Sequence, residues 1–160
     1  MNRRLPIIVL LLTCLGPFSH AQVPAFETFA KDRSVTYVYV SKAILSLARS
    51  VDYPRLGVSL DIRKMIDKLD ALQVISADGQ RPSTRVEKTV GRILQKGKYT
   101  RVMQLDEDGE EVTIYQGTDD RSTVLVMCAR EDASFKATVF SGSFTLDEIV
   151  GLITERNNQK

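Results

Sequence analysis

The sequence predicts a two-layer α+β fold in which about three helices pack on one face of a mostly antiparallel sheet. Three observations carry that expectation. Strand-like and helix-like periods alternate through the first half, four strand-like runs then follow one another at hairpin distance, and a helical period closes the chain. With 43% apolar and 26% charged residues among 160, the composition suits one globular domain over residues 22–160. It does not suit a disordered, collagen-like or polytopic membrane chain.

Ser34 to Ser41 alternates Val35, Tyr37 and Tyr39 with Thr36, Val38 and Val40, all of them β-branched or aromatic, and reads as a strand. Ile44, Leu47, Ala48 and Val51 then recur at helical spacing until Pro54 blocks continuation. Residues 55–67 fit either a loop or a short helix, and Leu69 to Ser76 reads as a second strand ending at Asp78-Gly79. From Pro82 to Lys96, Val86, Val90, Ile93 and Leu94 share one helical face, Thr84 and Glu87 have capping-box spacing, and Gly97 marks the stop.

The meander comes next: Tyr99 to Leu105, Glu111 to Gln116, Thr123 to Arg130 and Phe135 to Phe144. Its connections carry Asp108-Gly109, Asp119-Asp120 and Glu131-Asp132, residues that tolerate tight turns. Val124 to Ala129 is apolar throughout, apart from the thiol of Cys128, which places that strand centrally. Thr145 and Glu148 again have capping-box spacing, ahead of Leu146, Ile149, Val150 and Ile153 on one face of a closing helix; Arg156 to Lys160 is a fraying tail.

The first 21 residues have the three-part form of a secretory signal. Arg3 and Arg4 precede an apolar run from Leu5 to Leu15, and small residues at Ser19 and Ala21 set cleavage after Ala21. The run is shorter than the roughly 20 residues a spanning helix needs. A second processing is open, because Cys14 follows the apolar run where lipidation would tether the chain, although Thr13 is a poor neighbour for it. Membrane contact is expected only in that case. Removing Arg3 and Arg4 from the 22 basic residues leaves as many as the 20 acidic ones, so the nominal charge of +2 belongs to the signal.

Removal of the signal also narrows the chemistry. His20, the one histidine, leaves with it, which excludes Ser-His-Asp, Cys-His and His-metal arrangements from the domain. Cys128 is then the one cysteine, so the fold stands on its core without an internal disulfide, and its apolar neighbours suit a buried thiol better than a nucleophile. No glycine-rich phosphate loop and no Ser-x-x-Lys pair occurs in residues 22–160. We therefore expect no cofactor, no metal and no catalytic residue.

Two charge patterns stand out. Arg81, Arg85, Lys88, Arg92 and Lys96 fall within roughly 80° of one another at about 100° per residue. That stripe lies opposite Val86, Val90, Ile93 and Leu94 and so faces solvent, either as a solvated face or as a surface for an anionic partner. It lacks interleaved aromatics, which argues against nucleic acid. Its counterpart is an acidic hairpin with Asp106, Glu107, Asp108, Glu110 and Glu111, then Asp119 and Asp120, which lacks the alternating ligand pattern of a calcium loop. Tyr37 and Tyr39 share a strand face and suit core cover with hydroxyls at the rim, or stacking on a sugar or peptide.

The runs Val35-Thr36-Tyr37-Val38-Tyr39-Val40-Ser41-Lys42-Ala43, Lys68 to Ile75, Asp108 to Tyr115 and Gly142-Ser143-Phe144-Thr145-Leu146 together resemble domain of unknown function family 4252, over most of residues 25–155. The resemblance implies a small exported protein of the type found mostly in Bacteroidota, with some members lipid-anchored. It implies no activity, ligand or catalytic residue, since the shared motifs are strand and turn signatures. The reading that follows is a non-catalytic exported envelope domain that binds a protein or an anionic surface. The rival is a carboxylate-dependent hydrolase of envelope polymers, which requires an Asp or Glu buried in a cleft; a structural lipoprotein tethered at Cys14 is a third.

Overall fold

The computed structural model describes residues 23–47, 62–107, 109–119, 122–148 and 151. The signal segment with Cys14, His20 and Ala21, the second half of the first predicted helix, Asp108, Asp120 and the C-terminal tail lie outside the described residues. Six strands form one fully antiparallel sheet: β1 (Thr36–Ser41), β2 (Leu69–Asp78), β3 (Thr100–Glu107), β4 (Glu110–Asp119), β5 (Ser122–Glu131) and β6 (Ser134–Gly142). Their order is β1-β2-β6-β5-β4-β3. The meander is as expected, and β5 and β6 occupy the middle of the sheet.

All three hairpins of the meander close on two-residue connections, because Glu107 pairs with Glu110, Asp119 with Ser122 and Glu131 with Ser134. Gly109 supplies φ +86° in the first, a left-handed value that glycine takes without penalty, and Asp132 takes φ +46° in the third. Short connections of this kind set the register, and register decides which side chains reach which face.

Both faces are covered, and here the structure differs from the expected single layer of helices. On one face α2 (Gln80–Lys96) and a 3-10 helix at Pro24–Lys31 bury Phe26, Phe29, Val86, Val90 and Leu94 against Ile75, Val126, Phe135 and Val139. On the other, α1 (Lys42–Leu47) and a 3-10 helix at Ile62–Lys68 bury Leu45, Met65 and Ile66 against Leu72, Val74, Leu125 and Phe140. The physical reason is in the strands: β2, β5 and β6 carry apolar side chains at successive positions, and successive side chains point to opposite faces, so one layer of helices would leave half of them in water.

The local signals at the helix ends fared differently. At the C-terminus the capping box forms: the Thr145 amide donates to Glu148 Oε2 at 3.0 Å, and the Glu148 amide to Thr145 Oγ1 at 3.4 Å. Hydrogen bonds from Lys68 and from the Thr145 amide hold the Glu148 carboxyl below its ordinary range. At α2 it does not form. The helix starts earlier, at Gln80 behind Gly79, so Thr84 already lies in the second turn, where its hydroxyl donates to the Gln80 carbonyl at 2.8 Å. Ser83 anchors the start instead, with its hydroxyl 2.8 Å from the Ala77 carbonyl and 2.7 Å from that of Ala133. It ties α2 to the end of β2 and to the β5–β6 turn.

Gly142 pairs with Leu69 where the β2–β6 register slips around a bulge. A Cβ there would collide with the Lys68 carbonyl oxygen, which accepts the Ser143 amide at 2.8 Å, and would come within 2.9 Å of Leu69 Cα. We expect Gly142→Ala to cost about 2–3 kcal/mol, as overpacking against backbone does, measured by urea unfolding with an unchanged m-value.

Candidate functional site

The two charged regions of interest lie on different flanks of α2. Its apolar stripe sits on β2 and β6, which turns Arg81, Arg85, Lys88, Arg92 and Lys96 outward, and all five are exposed. They are not equivalent. Arg85 reaches the loop before β1, where its guanidinium lies 2.8 Å from Asp32 Oδ2 and also donates to the Ser34 hydroxyl. Hydrogen bonds from Ser34, reinforced by the Arg85 charge, hold the Asp32 carboxyl below its usual value. Arg92 donates to Thr89 Oγ1 at 3.1 Å. Arg81, Lys88 and Lys96 make no ion pair or side-chain hydrogen bond among the described residues.

The other flank of α2 borders a cleft of about 200 Å³. Glu87, Gly91 and Leu94 form its helical wall, Glu111, Thr113 and Tyr115 of β4 its floor, with Cys128 and Arg130 of β5 and Phe135 of β6 at its inner side. The cleft lies where α2, seated on β2 and β6, meets the neighbouring strands β5 and β4. Glu87 forms an ion pair with Arg130 across the opening, and Glu111 Oε1 accepts from Gln104 Nε2 at 3.2 Å, with Gln104 in turn held by Arg101 at 3.0 Å.

Cys128 lines this cleft as a partly buried free thiol. Burial, reinforced by the negative charge of Glu87, pushes its thiol up to about 12. Burial is also the main reason that the Tyr115 hydroxyl is raised. Both groups remain protonated at neutral pH, as neutral walls rather than bases. The carboxylates Glu87 and Glu111 do sit in a cleft, as a hydrolase would require, but each is part-exposed and hydrogen-bonded to Arg130 or Gln104.

The remaining sequence candidates fall elsewhere. Tyr37 is half-buried, its hydroxyl accepting from the buried Gln73 Nε2 at 3.2 Å, while Tyr39 next to it on the same face is 39% exposed. Asp106 and Glu111 pair across the β3–β4 hairpin. Among the described residues, no three His, Cys, Asp or Glu side chains are placed to hold a metal ion, and no helix is long and apolar enough to cross a membrane.

The sequence profile of a family described as a domain of unknown function (DUF4252) matches residues 28–152. The chain belongs to this family. The matched span of the DUF4252 domain includes every strand, both flanks of α2 and the cleft. No curated protein and no solved structure matches the chain.

A raised thiol makes a pH prediction with a definite sign. The reactive thiolate grows as pH rises toward the folded value, so at about pH 8 Cys128 should alkylate at least ~100-fold more slowly than a free cysteine, whose value is about 8.5. Its rate should keep climbing tenfold per pH unit above about pH 9, where a free thiol has levelled off. Site-resolved mass spectrometry of iodoacetamide-treated protein reads both, and a plateau near pH 9 would contradict the burial.

Proposed function

We propose that this protein is a non-catalytic, exported domain of the cell envelope that binds an anionic surface through the basic face of α2. One observation carries the reading: five cationic side chains lie on the exposed face of one helix, and four of them have no anionic partner among the described residues. A helix clamped on its opposite face by a packed core presents those charges in a fixed row. Such a row attracts anionic polymers or head groups without a shaped pocket. The signal-like segment ending at Ala21 supports the compartment, and family membership is consistent with a role that rests on no shared catalytic motif.

Arg85 belongs to the fold as much as to the surface, since it braces the Asp32–Ser34 loop. The discriminating variant therefore spares it and replaces Arg81, Lys88 and Lys96 with Glu. We expect retention on vesicles containing about one-third anionic lipid, or on an immobilised acidic polymer, to fall at least tenfold, following roughly 1 kcal/mol per basic residue near such a surface. Wild-type retention should weaken with salt, and the variant's thermal unfolding midpoint should stay close to wild type. Unchanged retention in a folded variant would remove α2 from the proposal.

A further inference from the structure

The two edges of the sheet are finished differently, and β1 is the one left open. β3 carries the exposed charges Arg101 and Asp106, and its register slips between Arg101 and Met103. Charges and a bulge are the means by which an edge strand resists pairing with another chain. β1 has neither. Thr36-Tyr37-Val38-Tyr39-Val40-Ser41 contains no charged residue, no proline and no glycine, and runs in unbroken register against β2. Its outward backbone groups have no partner among the described residues, and the Tyr39 side chain beside them is 39% exposed. An uncharged edge of β-branched and aromatic residues is a template for one more strand.

The pattern of β1 selects a strand like itself. Residues 36–40 are self-complementary about Val38. Antiparallel pairing around a two-fold axis normal to the sheet sets Val38 opposite Val38 of a second copy, Thr36 opposite Val40, and Tyr37 opposite Tyr39. Every pair then joins residues of one face, as a continuous sheet requires. The two tyrosine pairs cover the exposed ring of Tyr39, and aromatic pairs across strands stabilise a sheet. Charge favours the same occupant. Basic and acidic residues balance once Arg3 and Arg4 have left, so two copies carry no net repulsion. At the ends of the strand, Lys42 is neutralised by Asp70 and Asp32 by Arg85, each at 2.8 Å; Arg33 lies outside the paired span. We propose that β1 pairs with β1 of a second copy, joining two domains through one continuous antiparallel sheet. Five residue pairs make less than a standard interface, so the dimer is a weak one. The same two-fold axis puts both α2 helices on one side of the joined sheet, where their basic rows face the same way.

The test is sedimentation equilibrium of the purified protein from about 10 μM to about 1 mM chain, a range that brackets a weak dissociation constant. A reversible monomer–dimer equilibrium is expected. Over the same range, amide hydrogen exchange should slow in residues 36–41 as concentration rises, and stay constant along β3. Replacing Thr36 and Tyr39 together with Lys, both exposed in the monomer, should raise the dissociation constant at least ~10-fold, as charge on an edge strand does. Thr100→Lys, the matching change on β3, should leave it unchanged. The unfolding midpoint of each variant in dilute solution should stay close to wild type. A monomer throughout the range, or assemblies that grow beyond the dimer, would overturn the pairing. So would a dimer that the β1 variant leaves intact or that Thr100→Lys dissolves. Exchange of the β1 amides in the wild-type protein that is independent of concentration overturns it without any variant.

Discussion

Burial of the central strands on both faces is the constraint on which the rest of this structure depends. β2, β6 and β5 pass apolar side chains to two cores at once: Ile75, Val126 and Val139 to one, Leu72, Leu125 and Phe140 to the other. No disulfide is formed by Cys128, so hydrophobic burial carries the stability. At about 25 cal/mol per Å² of apolar surface, each fully buried Leu, Ile or Phe contributes roughly 1.5–3 kcal/mol. The side chains that enclose the sheet come from short elements, such as Phe26 and Phe29 of the first 3-10 helix and Leu45 of α1. Each holds its place by one or two such anchors.

That arrangement also decides what α2 can present. Its Val86, Val90 and Leu94 are committed to β2 and β6, which leaves two flanks of opposite character. One is the open basic row. The other looks down on β4, where the sheet extends beyond its helical cover and the polar side chains Glu111 and Thr113 border a cleft. The exposure of the basic row follows from that packing, and the proposal of an anionic partner descends from it.

Much of this was legible in the sequence, and the exceptions have physical causes. Strand positions and hairpin turns were readable because period-two alternation and Asp-Gly-type turns are local signals. Residues Val124 to Met127 also held the information that both faces are buried; an unbroken apolar run says so. Reading the run as mere centrality lost the second layer. The Pro24–Lys31 helix was invisible, since eight residues with two phenylalanines carry too little period to distinguish from a loop. Glu87 had the spacing of a cap, but the helix begins four residues before Thr84, and the carboxylate serves Arg130 instead. The basic row was recoverable from helical spacing alone. The cleft was not, because it joins side chains from four elements; its one local trace is Gly91, a glycine within an otherwise sound helical pattern.

The proposal of an envelope domain acting outside the cytoplasm rests on the signal-like segment ending at Ala21 and on a clamped helix that presents an exposed cationic row. The most direct measurement is the intact mass of the protein recovered from its native host, taken with its distribution between cytoplasmic, membrane and exported fractions. The account expects a chain beginning at Gln22 in an exported fraction, or one lipidated at Cys14 in the membrane. A full-length chain beginning at Met1 in the cytoplasm would contradict it.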